Sequence, residues 1–270
     1  MTGGDCKGPL PAASLRIRRL KPSQISVWLT RGWQDMRHIG WPSYLHGIFV
    51  CLLSMLVLRY ALSAEYLLPG LAGAFVLVGP MLATGLYGLS RRRESGAPAH
   101  LRDAVCAWRS ASRCLLRFSL LLVGIGIAWV AVSAILFQLF VNARIEDSAS
   151  FAHYVLNQGF AHFMLWTLLG SLVAAVVFAA SVIAIPLLLD RDLSTRTAIL
   201  SSIRVVGENP VTMVLWALFI AFATGLGVVT GMLGFIVLYP LMGHASWHAY
   251  RALVQVDEQA VPPRRDTQDA

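Results

Sequence analysis

The length of its apolar runs constrains this chain most. Crossing about 30 Å of hydrocarbon at 1.5 Å per residue takes about 20 mostly apolar residues, with every backbone group bonded within the segment. Six stretches meet that requirement: 42–62, 67–90, 116–140, 163–189, 211–230 and 232–250. The last two are nearly continuous, yet one helix over 211–243 would be about 50 Å long, too long for a bilayer. Gly231-Met-Leu-Gly234 therefore reads as a tight turn. With 57% hydrophobic and only 13% charged residues, the chain lies outside the range of soluble domains.

The formal net charge of +8 fits either nucleic acid or a membrane surface as partner, and placement decides. Twenty of the 22 Lys and Arg residues fall before the first run, between the second and third, between the fourth and fifth, or after the last. Only Arg59 and Arg144 lie opposite, and Arg59 is close enough to a helix end to snorkel. Because cytoplasmic loops carry the basic excess, the expectation is a multi-pass protein of the bacterial inner (plasma) membrane with both termini cytoplasmic. Its partners are then the lipid bilayer and a membrane-protein partner or second copy, with no nucleic acid. Residues 1–22 read as a disordered basic tail, 23–253 as the membrane domain and 254–270 as a second disordered tail. No signal-peptide pattern occurs in residues 1–40, and the four cysteines show no CxxC pairing.

The connections at the basic end carry helical periodicity. Ile25, Trp28, Gly32, Met36 and Ile39 follow one face; so do Leu101, Val105, Trp108 and Leu115, and Ile199, Ile203 and Val206. Arg102, Arg109, Arg113 and Arg117 also share a face, which suits a helix lying on an anionic leaflet; a connector packed on the bundle is the alternative. Trp28, Trp33, Trp41 and Trp108 fit an interfacial aromatic belt. Pro80, Pro186 and Pro240 sit toward the basic end of each even-numbered run, with Arg91, Arg196 and Arg251 ten or eleven residues later. The fold class these features give is all-α and polytopic: six spans as three hairpins, each introduced by an amphipathic helix and each broken by a proline. Gly227-Val-Val-Thr-Gly231 matches GxxxG, where helix packing competes with turn formation.

The string Gly79-Pro-Met-Leu-Ala-Thr-Gly-Leu-Tyr-Gly-Leu-Ser-Arg-Arg-Arg-Glu94 resembles the signature of a family of uncharacterised bacterial integral membrane proteins. Pro186-Leu-Leu-Leu-Asp190, Asn209-Pro210 followed by Trp216, and Pro240-Leu-Met-Gly-His-Ala-Ser-Trp-His-Ala-Tyr-Arg251 are similar to its later motifs, in the same order. The resemblance runs from about Trp28 to Leu253. It implies a domain of unknown function, some of whose members carry labels linking them to cytochrome c oxidase. Gly88 departs from the pattern, which calls for an acidic residue after the Tyr.

Ionisable residues inside spans are expensive and by default mark function. Four residues past each repeat proline come Thr84, Asp190 and His244, and His248 lies one turn beyond His244. Histidines at i, i+4 can share a metal, with Asp190 as third ligand or ring orienter, but without the Glu of HExxH the pair fits interfacial hydrogen bonding better. Same-face histidines cannot take opposite axial positions on one haem, and His46 is a nominal second-helix candidate. No cofactor is therefore expected, and metal or haem handling stays as a minor reading. No GxxxxGK[ST], GxGxxG or GxSxG occurs, and Asp35, Glu94, Asp103 and Glu208 read as solvated ion pairs. A non-enzymatic accessory, assembly or partner-binding protein, near respiratory complexes if the resemblance guides, is the first reading. A small-solute or lipid transporter is the second.

Overall fold

A computed structural model of the chain describes residues 15–62, 68–109, 111–140, 153–154 and 156–256. After β1 (Leu15–Ile17) come α1 (Gln24–Ile39), α2 (Trp41–Leu62), α3 (Leu68–Leu82), α4 (Thr84–Glu94), α5 (Leu101–Arg109) and α6 (Arg113–Phe140). Then follow α7 (Phe160–Ser181), α8 (Ala184–Asp190), α9 (Thr195–Glu208), α10 (Pro210–Val229), α11 (Phe235–Leu253) and β2 (Val254–Val256). The connections at 63–67 and 141–152, with Arg144, lie outside the described residues.

Among the described residues, four segments are long and apolar enough to cross a membrane: Trp41–Tyr60, Arg113–Phe140, Phe160–Asp190 and Pro210–Val229. Their outward side chains, such as Leu56, Leu120, Leu168 and Phe222, are large, apolar and exposed, as lipid contact requires. The other two expected spans are helical but different in kind. At 67–90, α3 has 15 residues and is interrupted at Ala83, so it rises only about 22 Å. At 232–250, α11 carries His244, Ser246, His248 and Arg251 in its second half, where most residues are buried. It is the central element, with α1, α2, α4 and α10 packed on it, while α3 packs on α6.

Proline removes a backbone donor, so neighbours must accommodate what is disturbed. His46 of α2 hydrogen-bonds to the backbone of Leu82 at the α3–α4 interruption. Between α7 and α8 the Ile183 N–H donates to Ser202 Oγ of α9 at 3.1 Å. Pro240 has no N–H for the carbonyl of Ile236, and Gly47 of α2 lies against that carbonyl so closely that any Cβ there would overlap it. The three proline-bearing segments thus have different surroundings.

The amphipathic helices form, but their inward faces are not all those the periodicity suggests. In α1, Trp28, Gly32, Asp35 and Met36 are buried, and Trp28 meets Trp216 edge-on at 5.6 Å. Trp28 is therefore core, whereas Trp33 and Trp41 are exposed in keeping with a belt. In α9 the small residues Ala198, Ser201 and Ser202 face the bundle and Ile203 faces out. In α5, likewise, Ala104 and Ala107 are buried and Val105 is exposed. Of the two expected apolar stripes, Val105 and Ile203 turn to the outside, whereas Leu115 is buried and Ile199 and Val206 pack against the core; close helix approach needs small residues and lipid does not. Arg102 and Arg109 lie on α5, Arg113 and Arg117 on α6, so these four exposed arginines do not share one helix.

The ordered domain also extends past the expected boundaries at 22 and 254. Leu15–Ile17 pairs antiparallel with Val254–Val256, and Asn209 clamps the following segment, its Oδ1 accepting from Leu20 N at 2.7 Å and its Nδ2 donating to Arg18 O at 3.0 Å. Gly231 and Met232, both at positive φ, make the turn between α10 and α11, and Gly227 packs against the ring of Phe235. Of the glycine pair, Gly231 thus serves the turn and Gly227 the packing of α11 on α10.

Gly32 lets α1 approach α11, since a Cβ there would sit 2.7 Å from Ala245 N. Gly32→Ala is expected to cost about 1–3 kcal/mol, read as a lower unfolding temperature in detergent. Gly124→Ala in α6, where a Cβ meets nothing within 4 Å, is the control and should cause no loss.

Candidate functional site

A network of buried polar groups gathers where α1, α4 and α11 pack at the basic end. Its hub is Asp35, which is 6% exposed. Arg93 Nη1 donates to Oδ1 at 2.7 Å, while Oδ2 accepts from Ser90 Oγ at 2.7 Å and His248 Nε2 at 2.9 Å. Ser90 Oγ also meets His244 Nδ1 at 2.7 Å, and His244 Nε2 meets Ser43 Oγ at 2.9 Å. Proton bookkeeping orders the chain. The carboxylate can only accept, so Ser90 spends its single hydrogen on Asp35 and His244 Nδ1–H must donate to Ser90. In the neutral ring Nε2 then accepts from Ser43. Four elements, α2, α11, α4 and α1, are linked by bonds that all point toward one charge, an arrangement in which each bond polarises the next.

Burial pushes the Asp35 carboxyl up, but the hydrogen bonds from His248 and Ser90 and the pull of His248 outweigh it, leaving the group below its ordinary value of 3.8.

A second cluster lies alongside. Asp190 accepts from Tyr250 Oη at 2.7 Å and sits 3.3 Å from Arg91 Nε, 3.3 Å from Arg191 Nε and 3.6 Å from Arg251 Nη1. Arg251 Nε also donates to Glu94 Oε1 at 2.9 Å, and Trp247 Nε1 to Glu94 Oε2 at 3.1 Å. Arg91 and Arg251, each eleven residues past a repeat proline, thus meet at Asp190. These pairs are more exposed than the Asp35 network and individually weaker.

The structure therefore divides the expected cluster. His244 and His248 join the Asp35 network, whereas Asp190 belongs to the arginines. Thr84 takes part in neither, its hydroxyl donating to Met81 O at 2.7 Å. Among the described residues no group of three or more His, Cys, Asp or Glu is placed to hold a metal ion. Ser43 paired with His244 has the connectivity of a nucleophile and base, but Ser43 is fully buried, with no route for a substrate carbonyl.

Sequence reasoning missed Asp35, Ser43, Ser90 and Arg93. The signal for Asp35 was present: it lies three residues after Gly32 and seven after Trp28, on the buried face of α1. An acid on the inner face of an amphipathic helix is a buried charge and needs partners.

Residues 67–190, from the residue before α3 to the end of α8, match the model of a family described as a predicted integral membrane protein (DUF2189), whose function is unknown. With its apolar helices, this makes the chain an integral membrane protein. No curated protein and no solved structure is matched. The departure at Gly88 has a local cause, because a Cβ there would sit 2.5 Å from that of Ala107, where α4 packs on α5.

Asp35→Ala strips partners from Arg93, Ser90 and His248 and is expected to cost about 3 kcal/mol in thermal or denaturant unfolding. Because the folded carboxyl is depressed, its stabilisation is present above the ordinary value of 3.8 and lost as pH falls through the depressed one. Melting temperature should therefore drop on acidification below about pH 4, with a shallower drop for Asp35→Asn.

Proposed function

We propose that this protein is a six-span, three-hairpin protein of the bacterial inner membrane, with both termini cytoplasmic, that works by binding rather than by catalysis. Its role is that of an accessory or assembly factor for a membrane-protein partner. One observation carries the reading: among the described residues, Asp35, Asp190, Glu94, His244 and His248 at the basic end are all bonded to other side chains. Asp35 has three partners and both ring nitrogens of His244 are taken by serines, while Asp190 and Glu94 are held by arginines. Side chains so engaged support a rigid platform, each hydrogen bond polarising the next.

The orientation rests on the basic excess, and the six-span topology on α3 with α4 and on α11 completing hairpins with α2 and α10. The transport reading loses support from Asp190, which is ion-paired at the basic end. Metal handling would require a metal to displace the serines from His244 or Asp35 from His248.

Gentle purification from native membranes should recover a stoichiometric second membrane protein; recovery of this chain alone, at homogeneous purity, overturns the reading. Metal analysis of the wild type, His244→Ala and His248→Ala should give equal, negligible content. Metal in the wild type that falls in either variant would replace this function with metal handling.

A further inference from the structure

α11 presents two opposite faces. His244 and His248 point to the Asp35 network, whereas Met242 and Ser246, about 200° around the helix, border a cavity of about 140 Å³. α3 with α4, α7 and α10 close the rest of its wall, and it lies at both helix interruptions, beside Ala83 and Val182. Interrupted helices cannot stay in contact along their whole length, and the space opens where they diverge.

The wall is built from groups such as Pro80, Val177, Phe178, Ala223 and Phe235, and among the described residues no charged side chain borders it. Of its five hydroxyls, those of Tyr87 and Ser246 bond to each other, Tyr239 donates to Gly79 O at 2.9 Å, and Thr224 is only half-buried. Ser181 is 0% exposed and its Oγ has no hydrogen-bond partner. Helical hydroxyls usually return to the carbonyl four residues back, as Ser54 does to Val50 and Thr30 to Ser26, so one that does not, deep in a bundle, calls for an explanation.

We propose that this cavity is a binding site for an uncharged, mostly apolar molecule that places a ring-sized group carrying one hydroxyl or carbonyl against Ser181. Size supports it, since about 150 Å³ of apolar space accommodates a benzene ring. Charge supports it too, because an ion there would lose its hydration with no countercharge on the wall. Entry is from the membrane side: Pro80, Phe178, Ile220 and Tyr239 on the wall are only half-buried, and the neighbouring Leu218 and Phe222 of α10 are exposed. The site stands apart from the polar network and does not depend on the accessory role.

The test is photolabelling of the full chain in lipid nanodiscs with an aryl diazirine that bears a benzylic hydroxyl, followed by peptide mass spectrometry. Adducts should concentrate on wall residues of α7, α10 and α11 above the level on the lipid-facing side of α6. Ala223→Phe, which fills the cavity, should reduce them about tenfold, and Ser181→Ala about fivefold, as loss of one buried hydrogen bond implies. The same diazirine without the hydroxyl should label wild type and Ser181→Ala equally. Labelling that merely follows lipid exposure, absence of wall adducts as a water-filled space would give, or undiminished adducts in Ala223→Phe overturns the proposal. If Ala223→Phe is not recovered folded, undiminished labelling of Ser181→Ala overturns it alone.

Discussion

The structure at the basic end depends on a carboxylate kept away from water. Burying Asp35 is tolerable only because a guanidinium, a hydroxyl and an imidazole reach it from α4 and α11, and because Ser43 of α2 extends the chain through His244. Each donor fixes one helix relative to another. Apolar contacts alone leave membrane helices able to slide and rotate with little penalty, since lipid tails are as apolar as leucine. A directed set of hydrogen bonds to one charge does not, and here it sets the register of α1, α4 and α11.

The same physics explains how the helices meet. Gly32 against Ala245 and Gly88 against Ala107 mark close approaches at which a larger residue would separate the backbones. Val105 of α5 and Ile203 of α9 are turned outward, and large side chains of α2, α6, α7 and α10 form the apolar outer surface. Where the backbone is interrupted, His46 and Ser202 take up the disturbed groups. The space left between the interrupted helices is the cavity beside Ser181. Interruption, local polarity and cavity are three aspects of one feature.

Much of the architecture was legible because bilayer thickness leaves so few options. The apolar runs, the turn at Gly231, the proline positions and the helices between runs follow from length, glycine conformation and periodicity. The site was legible only in part. His244 and His248 stand out as ionisable groups in an apolar run, yet Asp35 reads as one more surface acid in a basic segment until its place on the Trp28 and Gly32 face is considered.

The sequence by itself determined that this chain lives in a membrane, roughly where its apolar helices lie, and which end gathers the positive charge, because these depend on local length and composition. Tertiary structure alone decided which faces turn inward, that Asp35 rather than Asp190 holds the histidines, and that Asn209 ties down a segment 189 residues away. Those outcomes depend on distances between elements remote in the chain, where close packing and the cost of an unpaired polar group outweigh the periodicity of any one helix.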